Sequence, residues 1–491
     1  MSTWSTQGSA RVRALVAALV LLLAACGQTA PSHSHAASQG ELARRLAAEV
    51  SLDAIKADLA TLQKIADEHG GTRADGTPGY DASASFVEKA LRDLGFDVQL
   101  DTLTVPLFTE VGTGRLEIPD GPAFEAGRDF KAMVFSASGG VSAKVVAVGF
   151  DRDADPTAFL ERPAGKGCAA NDFPPSARGA ILLVQPGPCF RRAQVQNAQQ
   201  AGVLAIVVAW PQWEPGFVLR PTLLDPDGIS IPAIATTRQV GLALADAADA
   251  GVSVHLRVQT SMVDHKVSSV IAETPGGDQA RVVMLGGHLD TALDGPGIND
   301  NGSGTMTLLE VARRLAAAGE PQLKVRFAFW AGEELGFWGS RHYVTGLNEA
   351  QRRAIQAYLN FDMLASPNGG RLVYADSGAP SGSDQITRLF DDYFDSVQLS
   401  HEEVDVGGGS DHFSFAQAGI PTGGLFSGAN AAKTSAEETS FGGTAGKLMD
   451  ACYHRACDRT DGVDTGLLEQ MVRAVAFATG KLASGGVTIQ R

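Results

Sequence analysis

The stretch His288–Gly304, HLDTALDGPGINDNGSG, gathers one histidine, three aspartates and two asparagines on a glycine-rich run. An apolar run over 281–287 leads into it, and a helical pattern over 303–317 follows. Two more acidic sites follow apolar runs in the same way. Glu333-Glu334 comes after VRFAFWAG, and Asp362 after YLNF. Late in the chain, CYHRACD offers His454 beside Tyr453. Imidazole nitrogens and carboxylate oxygens in this proportion suit zinc. No CxxC is present, so a thiolate zinc site is not expected.

Two zinc ions about 3.5–4 Å apart need a shared carboxylate to screen their repulsion. Asp300 can bridge them. His288 and Asp362 can serve one ion, Glu334 and His454 the other. Glu333 then stays uncoordinated beside the attacking water, where a general base must sit. Asp290, two residues after His288, can accept the imidazole's other N–H and fix its tautomer. Plainer readings exist for each group alone. A His-x-Asp is usually no metal site, paired glutamates usually form a solvated helix face, and Asp300-Asn301 could cap a helix. Yet a carboxylate placed after a buried strand needs a partner, because unpaired buried charge is costly. All the groups together favour the metal.

The elements that must position these groups alternate. Strands are expected at 281–287, 324–330, 355–361 and 371–375, with helices at 303–317, 337–346, 383–395 and 465–482. This predicts an α/β fold: a mixed, mostly parallel sheet with helices on both faces. Ligand sites in such sheets gather at the carboxyl ends of the strands, which puts His288, Glu333, Glu334 and Asp362 on one rim. Upstream, 41–70 and 80–94 read as helices, and FDVQLDTLTV as strand. Residues 125–258 differ, with short β-like runs at 144–148, 180–184, 203–208 and 233–235 among many prolines.

The chain has 491 residues and a net charge of −15, long enough for two or three domains. That charge argues against nucleic acid as a partner, since phosphates would go unneutralised. It also argues against adhesion to an acidic membrane through a basic patch. Arg11 and Arg13 precede an apolar run, Ala14–Ala25. The run is too short to span a bilayer and reads as a secretory signal over 1–25. Leu23-Ala24-Ala25-Cys26 resembles a bacterial lipobox, which would make Cys26 a lipidated N-terminus and membrane anchor. Residues 26–44 are expected as a tether, with His33 and His35 part of a solvated linker. An exported bacterial lipoprotein of the cell envelope follows. The four other cysteines suggest two disulfides. Cys168–Cys189 with Cys452–Cys457 is the simplest of three connectivities.

The stretch from KGCAANDF to AGVLAIVV resembles a protease-associated (PA) domain, in which family the fold is a small β-sandwich with helices. GGHLDT…GINDNGSGT, WAGEELGFWGSRHYV, YLNFDM and GGTAGKLMDACYHRACD resemble the M28 family of zinc aminopeptidases, among them the bacterial leucyl aminopeptidases of Streptomyces type. The resemblance implies a catalytic domain over 45–124 and 259–491, with the PA domain inserted over 125–258. It implies a peptide substrate, two zinc ions on His288, Asp300, Glu334, Asp362 and His454, and Glu333 as base. Tyr453 would help hold the oxyanion, and the Asp300–Asn301 peptide would be cis. One departure stands out: Gly409 occupies a position where such relatives carry a substrate-contacting arginine. His412, in the same loop, is expected as a wall residue. Met363 and Phe426 are expected to line an apolar pocket that favours apolar N-terminal residues. The alternatives are a carboxypeptidase or dipeptidase on the same scaffold, and a catalytically dead binding protein.

Overall fold

The computed structural model describes residues 33–154, 165–210 and 217–491. The larger of two sheets runs in the order Asp97–Glu110, Thr260–Glu273, Leu323–Trp330, Asp278–His288, Ile355–Phe361, Thr422–Phe426, Leu372–Tyr374, Glu402–Val404. Its four middle strands, from Leu323–Trp330 to Thr422–Phe426, are parallel. Antiparallel pairings flank them, so the sheet is mixed.

Both faces are covered, which is why the middle strands read as continuous apolar runs. Val283, Leu285, Phe327, Phe329, Ala357 and Leu359 point into one core with the helices Gly304–Ala318 and Thr465–Ala483. Their neighbours Val282, Met284, Ala328, Trp330 and Tyr358 point into a second core with Val344 and Phe415. Period-two alternation thus sorts each strand between two helical layers.

The second sheet runs Arg115–Glu117, Ser253–Val258, Gly139–Ala147, Ile181–Val184, Ala205–Ala209, Ala233–Thr236, Phe130–Ala132. The strand Gly139–Ala147 serves both halves: Gly139–Lys144 pairs with Ser253–Val258, and Val145–Ala147 with Ile181–Leu183. Cys168–Cys189 closes a loop beside this sheet, with a Cα separation of 5.8 Å.

Several elements differ from expectation. The segment read as a tether is helical from His33, within the helix His33–Glu49. The single helix expected over 41–70 is two, because Ser51 caps a new helix, Leu52–Glu68, by accepting from the Ala54 N–H. The strand Arg115–Glu117 joins the second sheet although it precedes the 125 boundary. Thr260–Glu273 is a fourteen-residue strand that periodicity did not reveal; its first half is largely exposed, with Met262 and Val263 among polar residues. Cys26, the signal segment and the first part of the tether lie outside the described residues. Among the described residues, no helix is long and apolar enough to cross a membrane.

Candidate metal centre

Because the middle strands are parallel, their carboxyl ends share one rim. His288 is the last residue of its strand. Glu333 and Glu334 open a short helix three residues beyond Trp330, and Asp362 directly follows Phe361. A side chain at Gly287 would close to 2.7 Å on the Phe361 carbonyl, so the strands can approach here only with glycine.

Asp300 lies at the middle of the cluster. Its Oδ1 is 3.2 Å from His288 Nε2, and its Oδ2 is 3.1 Å from His454 Nε2. His288 Nε2 is also 3.2 Å from Asp362 Oδ1. His454 Nε2 is 3.1 Å from Glu334 Oε2. Two three-donor sets result, His288–Asp300–Asp362 and Asp300–Glu334–His454, each with its atoms within 4.8 Å of one another. A third grouping joins Glu333 to His288 and Glu334, but Glu333 Oε2 stands off at 4.0 Å from His288. Buried acids and imidazoles with converging atoms fit divalent zinc. Asp300 Oδ2 and Glu334 Oε1 are buried without a hydrogen-bond partner, as oxygens that face a metal would be.

Groups behind the cluster hold it in place. Asp290 acts differently from its expected role. His288 Nδ1 is nearest the Asp290 main-chain oxygen, at 3.1 Å, and 3.6 Å from the carboxylate. That carboxylate instead accepts the backbone N–H groups of Glu333 and Glu334, at 3.2 and 3.1 Å. It therefore ties the two glutamates to the histidine's strand. Asp458 accepts from the N–H groups of Asn299 and Asp300 at 2.7 and 2.9 Å. Arg73 is fully buried and donates to the carbonyls of Leu289, Pro296 and Gly297 at 2.7, 2.9 and 2.6 Å. Ser410 Oγ donates to Asp362 Oδ2 at 2.7 Å. Asn301 donates to the Phe361 carbonyl at 2.8 Å and accepts from the Met363 N–H at 3.1 Å. The Asp300–Asn301 peptide is cis.

His454 sits at φ 57°, a left-handed backbone that costs a non-glycine residue about 1–3 kcal/mol. The Cys452–Cys457 bridge closes this short loop. Tyr453 stacks on the His454 ring, centroids 3.8 Å apart. Burial, with Asp300 and Glu334 nearby, pushes its hydroxyl well above the usual tyrosine range, so it remains a donor. Burial likewise pushes the Glu333 carboxyl well above the ordinary range; Glu334, Asp362 and Asp411 add to this, while His288 opposes it. A poised base needs such a shift. Burial works against a charged His454, but Glu334 and Asp300 outweigh it and hold the ring at about 10.

This sign makes a prediction. Zinc requires neutral imidazole, so loading the metal-free protein displaces protons. The raised His454 means that zinc affinity should climb with pH from 6 to above 9. Calorimetry in buffers of different ionisation heat would read at least one proton released per zinc at pH 7. Zinc affinity that does not change with pH would contradict the assignment.

Other expected residues fall elsewhere. His412 is buried 2.9 Å from Asp376 and touches no donor set. Met363 is buried, and Phe426 lies opposite Leu372 in the sheet. Neither lines any of the three cavities that reach the cluster. Gly409 lines the largest of these, about 870 Å³, with Glu333, Glu334, Tyr453 and His454. Sequence reasoning missed Arg73, Asp458 and the residues of 107–134 and 217–224 that wall the site.

Known proteins resemble this chain in sequence and in fold. The model of peptidase family M28 matches residues 269–479, and that of the PA domain matches 141–244. A Pseudomonas aeruginosa (strain UCBPP-PA14) protein named "Aminopeptidase" is 37% identical over 435 residues, covering 87% of this chain and 80% of its own. The chain belongs to peptidase family M28. A second relative, "Probable lipoprotein aminopeptidase LpqL" of Mycobacterium tuberculosis, is 36% identical over 90% of this chain and 87% of its own. Among solved structures, the aminopeptidase from Aneurinibacillus sp. strain AM-1 superposes with a TM-score of 0.69 at 21% identity. That match covers 91% of this chain and 98% of the other, and shows that this M28 chain shares its fold.

Proposed function

We propose that this M28 peptidase is a dizinc aminopeptidase that removes single residues, preferably apolar ones, from the N-terminus of peptides. One observation carries the reading: the two oxygens of Asp300 face two separate donor pairs, His288 with Asp362 and Glu334 with His454. Zinc held there would polarise the scissile carbonyl and make water easier to deprotonate. Glu333, close to both sets, takes the proton of the attacking water and passes it to the leaving amine. Tyr453 donates its hydroxyl to the oxyanion that develops. The surrounding carboxylates favour a free α-amine, which selects the chain end. Relatives named aminopeptidase support the same activity.

A carboxypeptidase would need free guanidinium groups for a terminal carboxylate. Here Arg220 is paired with Glu110 at 3.0 Å, and Arg191, at the wall of the large cavity, is held by the carbonyls of Gly187 and Cys189. The expected result is therefore cleavage of Leu-p-nitroanilide and no cleavage of an N-acylated dipeptide with a free C-terminus. Chelation should abolish the first activity, and zinc should restore it. The reverse substrate preference would refute the aminopeptidase reading.

The catalytic domain comprises 45–110 and 259–491, with the PA domain inserted between them, and the strand Arg115–Glu117 belongs to the insert's sheet. The signal run and Cys26 support an exported lipoprotein, anchored at the cell envelope through that cysteine. The relative named as a lipoprotein aminopeptidase supports this too.

A further inference from the structure

Residues 217–224 of the insert run along the metal centre and meet it on one side. Phe217 and Val218 line a cavity of about 200 Å³ between the two sheets. Residues 219–222 and Leu224 line the one of about 870 Å³. Both cavities reach Glu334 and His454, and neither reaches His288 or Asp362.

The segment also touches the chain that carries this pair of ligands. Thr222 Oγ1 donates to the carbonyl of Leu335, the residue after Glu334, at 2.8 Å. Glu333–Gly336 is a single helical turn. The last carbonyls of such a turn have no partner within it, so the hydroxyl supplies one. A Cβ at Gly336 would lie 2.5 Å from the Leu224 backbone, so only glycine lets the two chains meet here. At the other end of the segment, the Arg455 guanidinium lies over the Phe217 ring, 3.6 Å from its centroid. Arg455 follows His454 directly, inside the loop that Cys452–Cys457 closes. A cation seated on an aromatic face holds that loop against the insert. A further insert contact, Lys131 with Asp294 at 2.6 Å, falls on the loop of Asp300, which both donor sets share.

The segment can act as a brace because the insert grips its far side. The Val134 N–H donates to the Pro221 carbonyl at 3.0 Å, and the Val134 carbonyl accepts from the Leu223 N–H at 3.1 Å. Arg192, on the insert's helix Arg191–Gln200, donates to the Leu223 carbonyl at 3.2 Å. His288 and Asp362 are held otherwise. The Asp290 carbonyl faces the His288 ring, and Ser410, itself held by Asn360 at 2.9 Å, donates to Asp362. Those groups all belong to the catalytic domain. Resting on the dizinc reading above, we propose that residues 217–224 are a positioning element for one ion: Thr222 sets Glu334 and Phe217 sets His454, so the insert tunes the Glu334–His454 site and leaves the His288–Asp362 site to the catalytic domain.

Zinc affinity of the metal-free full chain, measured by calorimetry in two backgrounds, tests this. Asp362→Ala leaves the Asp300–Glu334–His454 set, and Glu334→Ala leaves His288–Asp300–Asp362. In the first background, Thr222→Val and Phe217→Leu should each weaken zinc about 10–100-fold, the usual cost of losing a group that orients a ligand. In the second, both should leave Kd unchanged. Thr222→Ser keeps the hydroxyl and should restore the affinity. Ser410→Ala should do the reverse, weakening zinc only in the second background. In the otherwise wild-type chain, Thr222→Val should loosen one ion and leave the other tight. The two insert variants act through different contacts, so if one does not fold the other decides. Equal weakening in both backgrounds would make the insert a general support of the fold, and no weakening in either would make its contacts incidental; each result overturns the proposal. Failure of the dizinc reading would show first, as a wild type that binds fewer than two ions, and would take the proposal with it.

Discussion

Glu333→Gln is expected to keep its zinc and lose turnover by about 10²–10⁴-fold, the contribution of a positioned base. The amide preserves the shape of the carboxylate, and the backbone N–H of residue 333 keeps its bond to Asp290. Glu333 lies 4.0 Å from His288, farther than the 3.1–3.2 Å of the donor pairs, so the clusters lose no close donor. What disappears is a carboxylate whose raised pKa lets it hold the proton between attack and departure of the amine. Metal analysis beside single-substrate kinetics separates the two effects. A fully active variant would remove Glu333 from the mechanism, and a zinc-depleted one would make it a ligand.

Asp300→Ala should have the largest effect on metal content. Asp300 is the one carboxylate common to both sets, and without it each half keeps two close donors. Zinc sites ordinarily use three or four protein ligands, so both ions should be lost at micromolar zinc, and activity with them. Asp362→Ala is the informative contrast. It leaves Asp300, Glu334 and His454 together, so about one ion per chain should remain. Two ions retained in Asp300→Ala would show that the cluster is not shared as described.

The residues that converge at the candidate centre were legible because chemistry and topology coincide at the ends of parallel strands. A buried apolar run followed at once by a carboxylate, as at Glu333 or Asp362, carries its own signal. Asp290 shows the limit of that signal. Its nearness to His288 in sequence suggested a bond to the imidazole, but its carboxylate turns to the backbone of Glu333 and Glu334 on the adjacent strand end. Only strand order reveals that neighbour. Arg73 and Asp458 carried no local pattern, since their partners are distant main-chain groups. The strand Thr260–Glu273 hid for another reason. Its first half is solvated and so lacks the alternation that burial imposes. The walls of the cavity were also out of reach, because they form where segments of two sheets meet.

Arg73 grips the carbonyl of Pro296 across 223 positions, and Asp458 grips the N–H of Asn299 across 159. The loop bearing Asp300 is thus set only once segments from early and late synthesis have met. A chain still emerging has neither His454 in position nor its supporting braces. A partial chain therefore does not carry both donor sets, and the cluster can form only when both ends of the sequence are in place.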